Sequence, residues 1–349
     1  MLAGPSNPLS TKLYTNICGR CNPALKGAGR GGSAPLTKKR SRMNVTGEIN
    51  KKQEPAEDAD RPAGPADPIS MKKYDTGAAQ LAYEVLGAEG GLPLVFLHGS
   101  TLDHVSMKNT FEGYFEGRDR DYRRIYVDLP GHGASGHSVL RANIKDLLED
   151  LGAFLKGNFE RPPCLVGYSL GGFAALKLAE SLPFPALFLI APPLCTDRAM
   201  INKPVTITLA ADELTDEEKE EADARYMLLA AKRTTDTLKR YRGNLAAGFS
   251  AGRWLYQAKL VRGAAAENLS VDPARIVSGT TFLVGRQDLL VGYRDQFELS
   301  MKLKCSEYHS FSDCGHFLPV ECAQFGGLFR HWLNTASIRS AAARAARAF

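Results

Sequence analysis

The 349-residue sequence contains no long hydrophobic run. Its longest apolar stretches, such as residues 186–194, have the length of a strand, whereas a membrane-spanning helix needs about 20 apolar residues. The N-terminal region also lacks the apolar segment of roughly 7–15 residues that defines a secretory signal. We therefore expect a soluble protein with no stable membrane insertion, although 44% hydrophobic residues are enough for a substantial core.

Acidic residues are absent from residues 1–47, which hold eight of the 44 Lys and Arg residues. The rest of the chain has 36 basic and 38 acidic residues, so the excess positive charge belongs to the N-terminal segment. A nearly neutral body lacks the basic footprint of a nucleic-acid-binding protein, and we predict no nucleic-acid partner.

The N-terminal segment itself, residues 1–68, is rich in Gly, Pro, Ser, Lys and Arg and is predicted to be a disordered extension. Its acid-free start is compatible with an organelle transit peptide, residues 38–42 with a nuclear-localisation-like patch, and the whole with a plain solvated tail. The expected location is cytoplasmic, or organellar if the start is a transit peptide.

A disulfide framework is also lacking, because the seven cysteines are odd in number and scattered along a long chain. This pattern indicates a reducing compartment. Cys18 and Cys21 form a C-x-x-C motif, but it has no second half and no strand–helix context, so it does not favour a metal or redox site. We predict neither a metal nor an organic cofactor.

From residue 69 onward, the hydrophobic pattern alternates between strands and helices. Residues 69–75 and 80–87 predict an antiparallel pair. Buried apolar strands such as LPLVFL then alternate with helical segments such as residues 144–155, which is typical of a parallel sheet. We predict an α/β fold, with a mostly parallel twisted sheet and helices on both of its faces.

The alternation stops between residues 195 and 278. A capping box at residues 215–218, a charged amphipathic helix over residues 219–233 and two further helical segments predict an inserted helical cap. The expected organisation is a core of residues 69–194 and 279–336, a cap of residues 195–278, and a flexible basic tail of residues 337–349.

A strand–turn–helix element lies at residues 162–172, which read P-P-C-L-V-G-Y-S-L-G-G. The G-x-S-x-G string predicts a nucleophile elbow, in which side chains at the glycine positions would collide with the adjacent strand and helix. Ser169 is therefore the candidate nucleophile. Ser250 lies in a second G-x-S-x-G string, but a polar, helix-like segment precedes it, and we interpret it as a decoy.

A serine hydroxyl needs a base, and the base needs a carboxylate that fixes its tautomer. Asp288 and His316 each follow a later predicted strand, at the sheet edge where Ser169 emerges. We predict Asp288 as the acid, with Asp197 as the alternative, and His316 as the base. Helix capping is the alternative role for Asp288.

The H-G-S string at residues 98–100 also follows a buried strand. We expect the backbone N–H groups of Ser100 and Leu170 to form an oxyanion hole, with His98 supporting the loop. The candidates for lining a substrate pocket are Asp103, His104, Tyr168, Met227 and Trp254, with Phe249 and Tyr256 as further aromatic residues of the cap.

A rival motif occurs at residues 131–136, which match G-x-G-x-x-G after a strand. A dinucleotide site would need a helix that begins at the third glycine and an acid after the following strand. Pro130 precedes the motif, the next segment does not begin a helix there, and Ser169 stands in place of the acid. We therefore do not predict nucleotide binding.

The strings H-G-S, V-D-L-P-G-H-G-A-S-G, G-Y-S-L-G-G, G-R-Q-D and D-C-G-H-F, in this order, resemble the α/β-hydrolase superfamily over roughly residues 70–336. The resemblance implies the triad Ser169, Asp288 and His316, and a family cap at residues 195–278. Serine at the elbow argues against the haloalkane dehalogenase and epoxide hydrolase branches, which use Asp there.

The resemblance implies a serine hydrolase that cleaves a carboxylic ester, a thioester or a related bond in a small acyl substrate. Two alternatives stay open. One is a carbon–carbon bond hydrolase or lyase with the same triad, and the other is a non-catalytic binding protein on a hydrolase scaffold.

Overall fold

The structure is a computed structural model that describes residues 71–136, 138–194, 201–249, 254–267 and 270–345. The predicted N-terminal extension, Cys18, Cys21, Asp197 and Ser250 lie outside the described residues, as does the side chain of Trp254.

An eight-stranded sheet forms the centre of the molecule. Its strands are β1 (Lys72–Asp75), β2 (Gln80–Gly87), β3 (Leu92–Leu97), β4 (Tyr122–Val127), β5 (Cys164–Tyr168), β6 (Ala186–Ile190), β9 (Gly279–Gly285) and β10 (Ser306–Phe311). They lie in the order β1-β2-β4-β3-β5-β6-β9-β10. Strand β2 pairs antiparallel with β1 and β4, and the pairs from β4 through β3, β5, β6 and β9 to β10 are parallel. The predicted fold class is thus confirmed.

Helices cover both faces of this sheet. One face carries α2 (Ile144–Asn158) and α3 (Leu170–Ala179), and the other carries α1 (His104–Phe111) and α10 (Phe325–Ala345). Along β3, Leu94 and Phe96 enter one core cluster whereas Val95 and Leu97 enter the other. Alternate side chains of a strand point to opposite faces, so a strand buried on both faces is apolar throughout.

The segment between β6 and β9, which we call the inserted segment, contains four helices among its described residues. They are α4 (Asp216–Glu221), α5 (Ala224–Leu229), α6 (Thr235–Gly243) and α7 (Trp254–Glu267). It also contains a short parallel pair, β7 (Ala211–Asp212) and β8 (Lys232–Arg233), which the sequence did not predict.

The predicted capping box is present, because the Thr215 hydroxyl oxygen accepts the N–H of Glu218 and the Glu218 carboxylate accepts the N–H of Thr215 at the start of α4. The single helix predicted over residues 219–233 is wrong. Helix α4 ends at Glu221, and the Asp223 side chain accepts the N–H of Arg225 at 2.7 Å to begin a second helix, α5. An Asp side chain that bonds the local backbone competes with helix continuation in this way.

The remaining helices are α8 (Arg294–Ser300) and α9 (Leu318–Glu321). Helix α10 continues past residue 336 to Ala345, so no break in secondary structure marks the start of the predicted tail. Among the described helices, none combines the length and apolar character needed to cross a membrane.

Candidate active site

The turn between β5 and α3 holds Ser169 in a strained backbone conformation, with φ 50° and ψ −116°. A Cβ on Gly167 would lie 2.6 Å from the Gly171 carbonyl oxygen, and one on Gly171 would lie 2.1 Å from the carbonyl oxygen of Leu97. Both positions therefore exclude any side chain, as the collision argument predicts. Strain of this kind persists only where the surroundings impose it, and it is typical of a nucleophile elbow.

Asp288 and His316 are in direct contact beyond the ends of β9 and β10. The Nδ1 of His316 lies 2.7 Å from Oδ2 of Asp288, and both side chains are buried. Because a carboxylate only accepts, Nδ1 donates, and in the neutral ring Nε2 carries the lone pair. The capping role is present as well, since Oδ1 of Asp288 accepts the N–H groups of Leu290 and Val291 at 2.8 and 3.1 Å.

Tyr168 links this pair to the elbow. Its hydroxyl donates to the carbonyl oxygen of His316 at 3.1 Å, and its ring centroid lies 5.4 Å from that of the imidazole. Tyr168 directly precedes Ser169, so the structure brings the predicted base to the end of β5 that carries the predicted nucleophile.

The loop after β3 packs against the same serine. A Cβ on Gly99 would lie 3.3 Å from the Cβ of Ser169, and the N–H of Gly171 donates to the carbonyl oxygen of His98 at 3.1 Å. Ser100 follows Gly99 in this loop. The backbone amides of Ser100 and Leu170 therefore belong to two segments in direct contact. Leu170 is the first residue of α3, where the helix dipole stabilises negative charge.

His98 holds this loop in place. Its Nδ1 lies 2.8 Å from the carbonyl oxygen of Gly99, and its Nε2 accepts the N–H of Leu129 at 3.0 Å. Complete burial lowers the pKa of His98 to about 3. The ring is therefore neutral, and it supports the loop, as expected.

Asp103, His104 and Asp128 form a second polar cluster near this loop, with ligand atoms close enough to share a metal ion. The carboxylate oxygens of Asp103 and Asp128 already accept hydrogen bonds from the surrounding chain. Asp128 accepts the backbone N–H and Nδ1 of His104 and the N–H of Ala134, and Asp103 caps α1 through the N–H of Val105. Burial opposes ionisation of Asp128, but the hydrogen bond and charge interaction with His104, together with the N–H of Ala134, outweigh it and lower the pKa of Asp128.

The same carboxylate explains the second glycine of the G-x-G-x-x-G string. A Cβ on Gly133 would lie 2.2 Å from Oδ2 of Asp128. The loop therefore wraps around this carboxylate, and the next helix, α2, begins only at Ile144. This contact gives Gly133 a role within the fold.

The pocket candidates occupy different surroundings. His104 contacts Asp128 and lies 3.7 Å from Glu84. Met227 is half-buried on α5 and packs against the core cluster that contains Tyr168. The ring of Phe249 lies under the guanidinium of Arg225, and its centroid is 3.5 Å from Cζ of Arg225. Tyr256 packs on Gly131 in the opposite core cluster.

Three contacts to the histidine loop, which we define as residues 313–316, were missed by sequence reasoning. Glu321 accepts the N–H of Gly315, the carbonyl oxygen of Leu229 accepts the N–H of His316, and Lys232 bonds Asp313. One signal was available for Glu321, a lone acid in the apolar stretch F-L-P-V-E-C.

The elbow, the Asp288–His316 pair and the parallel sheet are together typical of the α/β-hydrolase fold. Residues 94–325, more than half of the chain, match the alpha/beta hydrolase family. The chain belongs to this family.

Curated relatives match over shorter stretches. The chain is 34% identical over 125 residues to a dihydrolipoyllysine-residue acetyltransferase component of the acetoin cleaving system of Pseudomonas putida, covering 36% of this chain and 32% of that protein. It is 40% identical over 90 residues to the 2-succinyl-6-hydroxy-2,4-cyclohexadiene-1-carboxylate synthase of Escherichia coli O157:H7, covering 26% and 33%. The matches span about a third of each relative.

Solved structures share the fold over most of the chain. An alpha/beta superfamily hydrolase from Oenococcus oeni superposes with a TM-score of 0.64 at 23% identity, covering 76% of this chain and 100% of that one. A thermophilic esterase from Thermogutta terrifontis gives a TM-score of 0.57 at 21% identity, covering 76% and 99%.

Proposed function

We propose that the protein is a serine hydrolase that cleaves a carboxylic ester, a thioester or a related acyl bond through Ser169, His316 and Asp288. The observation that carries the proposal is the buried Asp288–His316 pair, joined through Tyr168 to the strained serine. Membership of the alpha/beta hydrolase family supports it further.

In the first half-reaction, Nε2 of His316 takes the hydroxyl proton as Ser169 Oγ attacks the carbonyl carbon. Asp288 holds Nδ1–H and stabilises the imidazolium that forms. The N–H groups of Ser100 and Leu170 stabilise the developing oxyanion, and one such donor contributes ~10²–10³ in rate. His316 then protonates the leaving group, and an acyl-enzyme forms.

In the second half-reaction, His316 takes a proton from water, and the resulting hydroxide attacks the acyl carbon. The proton returns to Ser169 Oγ as the acid product leaves. We assign the described part of the inserted segment that carries Met227 and Phe249 as the cap over this site, since these two residues contribute apolar surface beside the core cluster that contains Tyr168.

Labelling with a fluorophosphonate probe tests the nucleophile. Ser169→Ala should abolish labelling, because the probe forms its bond to the activated hydroxyl. Ser250→Ala, in the second G-x-S-x-G string, is the matched control and should label like the wild type. Equal labelling of the two variants would contradict the proposal.

A carbon–carbon bond hydrolase or lyase is the second candidate, favoured by the 40% identity to the cyclohexadiene-carboxylate synthase. A panel of p-nitrophenyl esters assayed beside a vinylogous diketone separates the two chemistries. If the protein turns over the diketone and none of the esters, the proposed reaction becomes carbon–carbon bond cleavage by the same three residues.

A further inference from the structure

Glu321 is an acid in the core that the proposed mechanism does not use. It ends the short helix α9 and is only 1% exposed. Its Oε2 accepts the backbone N–H of Gly315, its Oε1 is buried without a hydrogen-bond partner among the described residues, and the nearby backbone N–H of Ala231 opposes the rise in its pKa. Burying a carboxyl with only one hydrogen-bonded oxygen is costly, so its burial at this place indicates a specific role.

The carboxyl of Glu321 lies beside two segments that touch each other. Gly315 lies in the histidine loop, and Ala231 lies in residues 229–232 of the inserted segment. The N–H of His316 donates to the carbonyl oxygen of Leu229 at 3.4 Å, and a Cβ on Gly315 would lie 2.2 Å from the same oxygen. The backbones are therefore in direct contact, with no space for a side chain between them.

Lys232 makes two further hydrogen bonds at this contact. Its Nζ lies 2.6 Å from Oδ2 of Asp313 and 3.1 Å from the carbonyl oxygen of Glu321. The histidine loop is thus bonded to residues 229–232 at both of its ends, and Glu321 bonds the middle of the loop.

We propose that Glu321 is a positioning residue that holds the histidine loop and residues 229–232 together, so that the cap and His316 move as one unit. The inference rests on the proposed role of His316 as the base. Releasing Gly315 would shift the next residue, His316, relative to Ser169. A misplacement of ~1 Å in a catalytic group costs on the order of 10²-fold in rate.

The charge state of Glu321 determines which substitution preserves its function. Burial raises its pKa to about 8, so the carboxyl is protonated at neutral pH and glutamine matches its charge. The titratable groups that face it from the elements packed around it are Asp288, Lys232, Cys314, Tyr168 and Tyr226.

The test compares Glu321→Gln and Glu321→Ala in the full chain. Two readouts are used: the second-order rate constant of fluorophosphonate labelling, and hydrogen exchange of peptides covering residues 313–317 and 229–232. Glu321→Ala should label about 100-fold more slowly, and both peptides should exchange faster. Glu321→Gln should label within about threefold of the wild type at neutral pH, because its amide oxygen accepts the same N–H.

The matched control is Asp150→Ala, which removes a buried acid on α2 that bonds Thr76 and lies in the other half of the fold. Its labelling rate per folded molecule should stay at the wild-type value. Labelling of Glu321→Ala at the wild-type rate, or of Glu321→Gln as slowly as Glu321→Ala, would overturn the inference. A wild type that does not label would instead contradict the proposed function, and hydrogen exchange alone would then decide whether Glu321 joins the two segments.

Discussion

The two oxygens of Asp288 serve different purposes. Oδ2 faces the imidazole of His316, while Oδ1 accepts two backbone N–H groups at the start of the next turn. The side chain is fully buried, so its orientation is fixed before any substrate binds. A carboxylate in this position selects the histidine tautomer that leaves Nε2 free to take a proton.

Asp288→Asn tests this role. The amide oxygen can keep the backbone contacts, and the amide nitrogen then faces Nδ1 and favours the wrong tautomer. We expect kcat to fall by ~10³–10⁴, with little change in the midpoint of thermal unfolding. Asp272→Asn, which changes another capping aspartate, is the control and should leave kcat unchanged. A kcat within tenfold of the wild type for Asp288→Asn would contradict the assignment.

Glu321 makes a second prediction at the residue scale, about stability and pH. Burial raises its pKa from 4.5 to about 8, so the native protein keeps a proton that the unfolded chain has already released. The free energy of unfolding therefore decreases as the pH rises between these two values. Glu321→Gln removes this titration, so its stability relative to the wild type should rise from about pH 5 to about pH 9. Urea denaturation measures the difference, and a difference that is constant with pH would contradict the shifted pKa.

At the scale of the element, the elbow depends on how closely α3 approaches β3. A Cβ at Gly171 would meet the backbone of Leu97, which cannot move without disturbing the sheet. The strain at Ser169 is imposed by these packed segments, so the nucleophile is positioned by the backbone.

Gly171→Ala should therefore destabilise the protein by about 3 kcal/mol or more. Gly327→Ala is the matched control, since a Cβ there meets nothing within 4 Å and the residue lies on an exposed turn of α10. It should stabilise by ~0.5–1 kcal/mol, the difference in helix propensity. Chemical denaturation of both variants measures the free energies, and equal effects would contradict the packing described for the elbow.

At the scale of the whole molecule, one sheet separates two apolar clusters. The cluster under α1 and α10 is strongly aromatic, and Phe329 lies at its centre. The ring of Phe329 contacts Phe111, Phe188 and Trp332, with centroids 4.6, 5.3 and 5.7 Å away. Helix α10 is thereby packed against β6, the strand next to β5, which leads into the elbow.

Phe329→Ala should lower the free energy of unfolding by ~3–5 kcal/mol, because it leaves a cavity in this cluster. Phe297→Ala, at a 48% exposed position, should cost less than about 1 kcal/mol. Activity per folded molecule should be unchanged in both, since neither ring contacts the histidine loop. A loss of less than about 1 kcal/mol in Phe329→Ala would contradict the central position of α10.

The strands of the core and the elbow could be predicted because their signals are local. Ser169, Asp288 and His316 each follow a strand, and parallel strands end at one edge. The contacts around Glu321 could not be predicted, because they depend on residues 229–232 and 313–316, two segments far apart in the chain, packing against each other. The break between α4 and α5 was missed because the hydrophobic pattern runs through Asp223, whose side chain caps the second helix.

The central claim is that Ser169 is the activated nucleophile of this fold. Its most direct measurement is tandem mass spectrometry of the full-length protein after fluorophosphonate treatment and digestion. We predict that the adduct lies on Ser169. An adduct on another residue, or a folded protein that forms no adduct, would contradict the account.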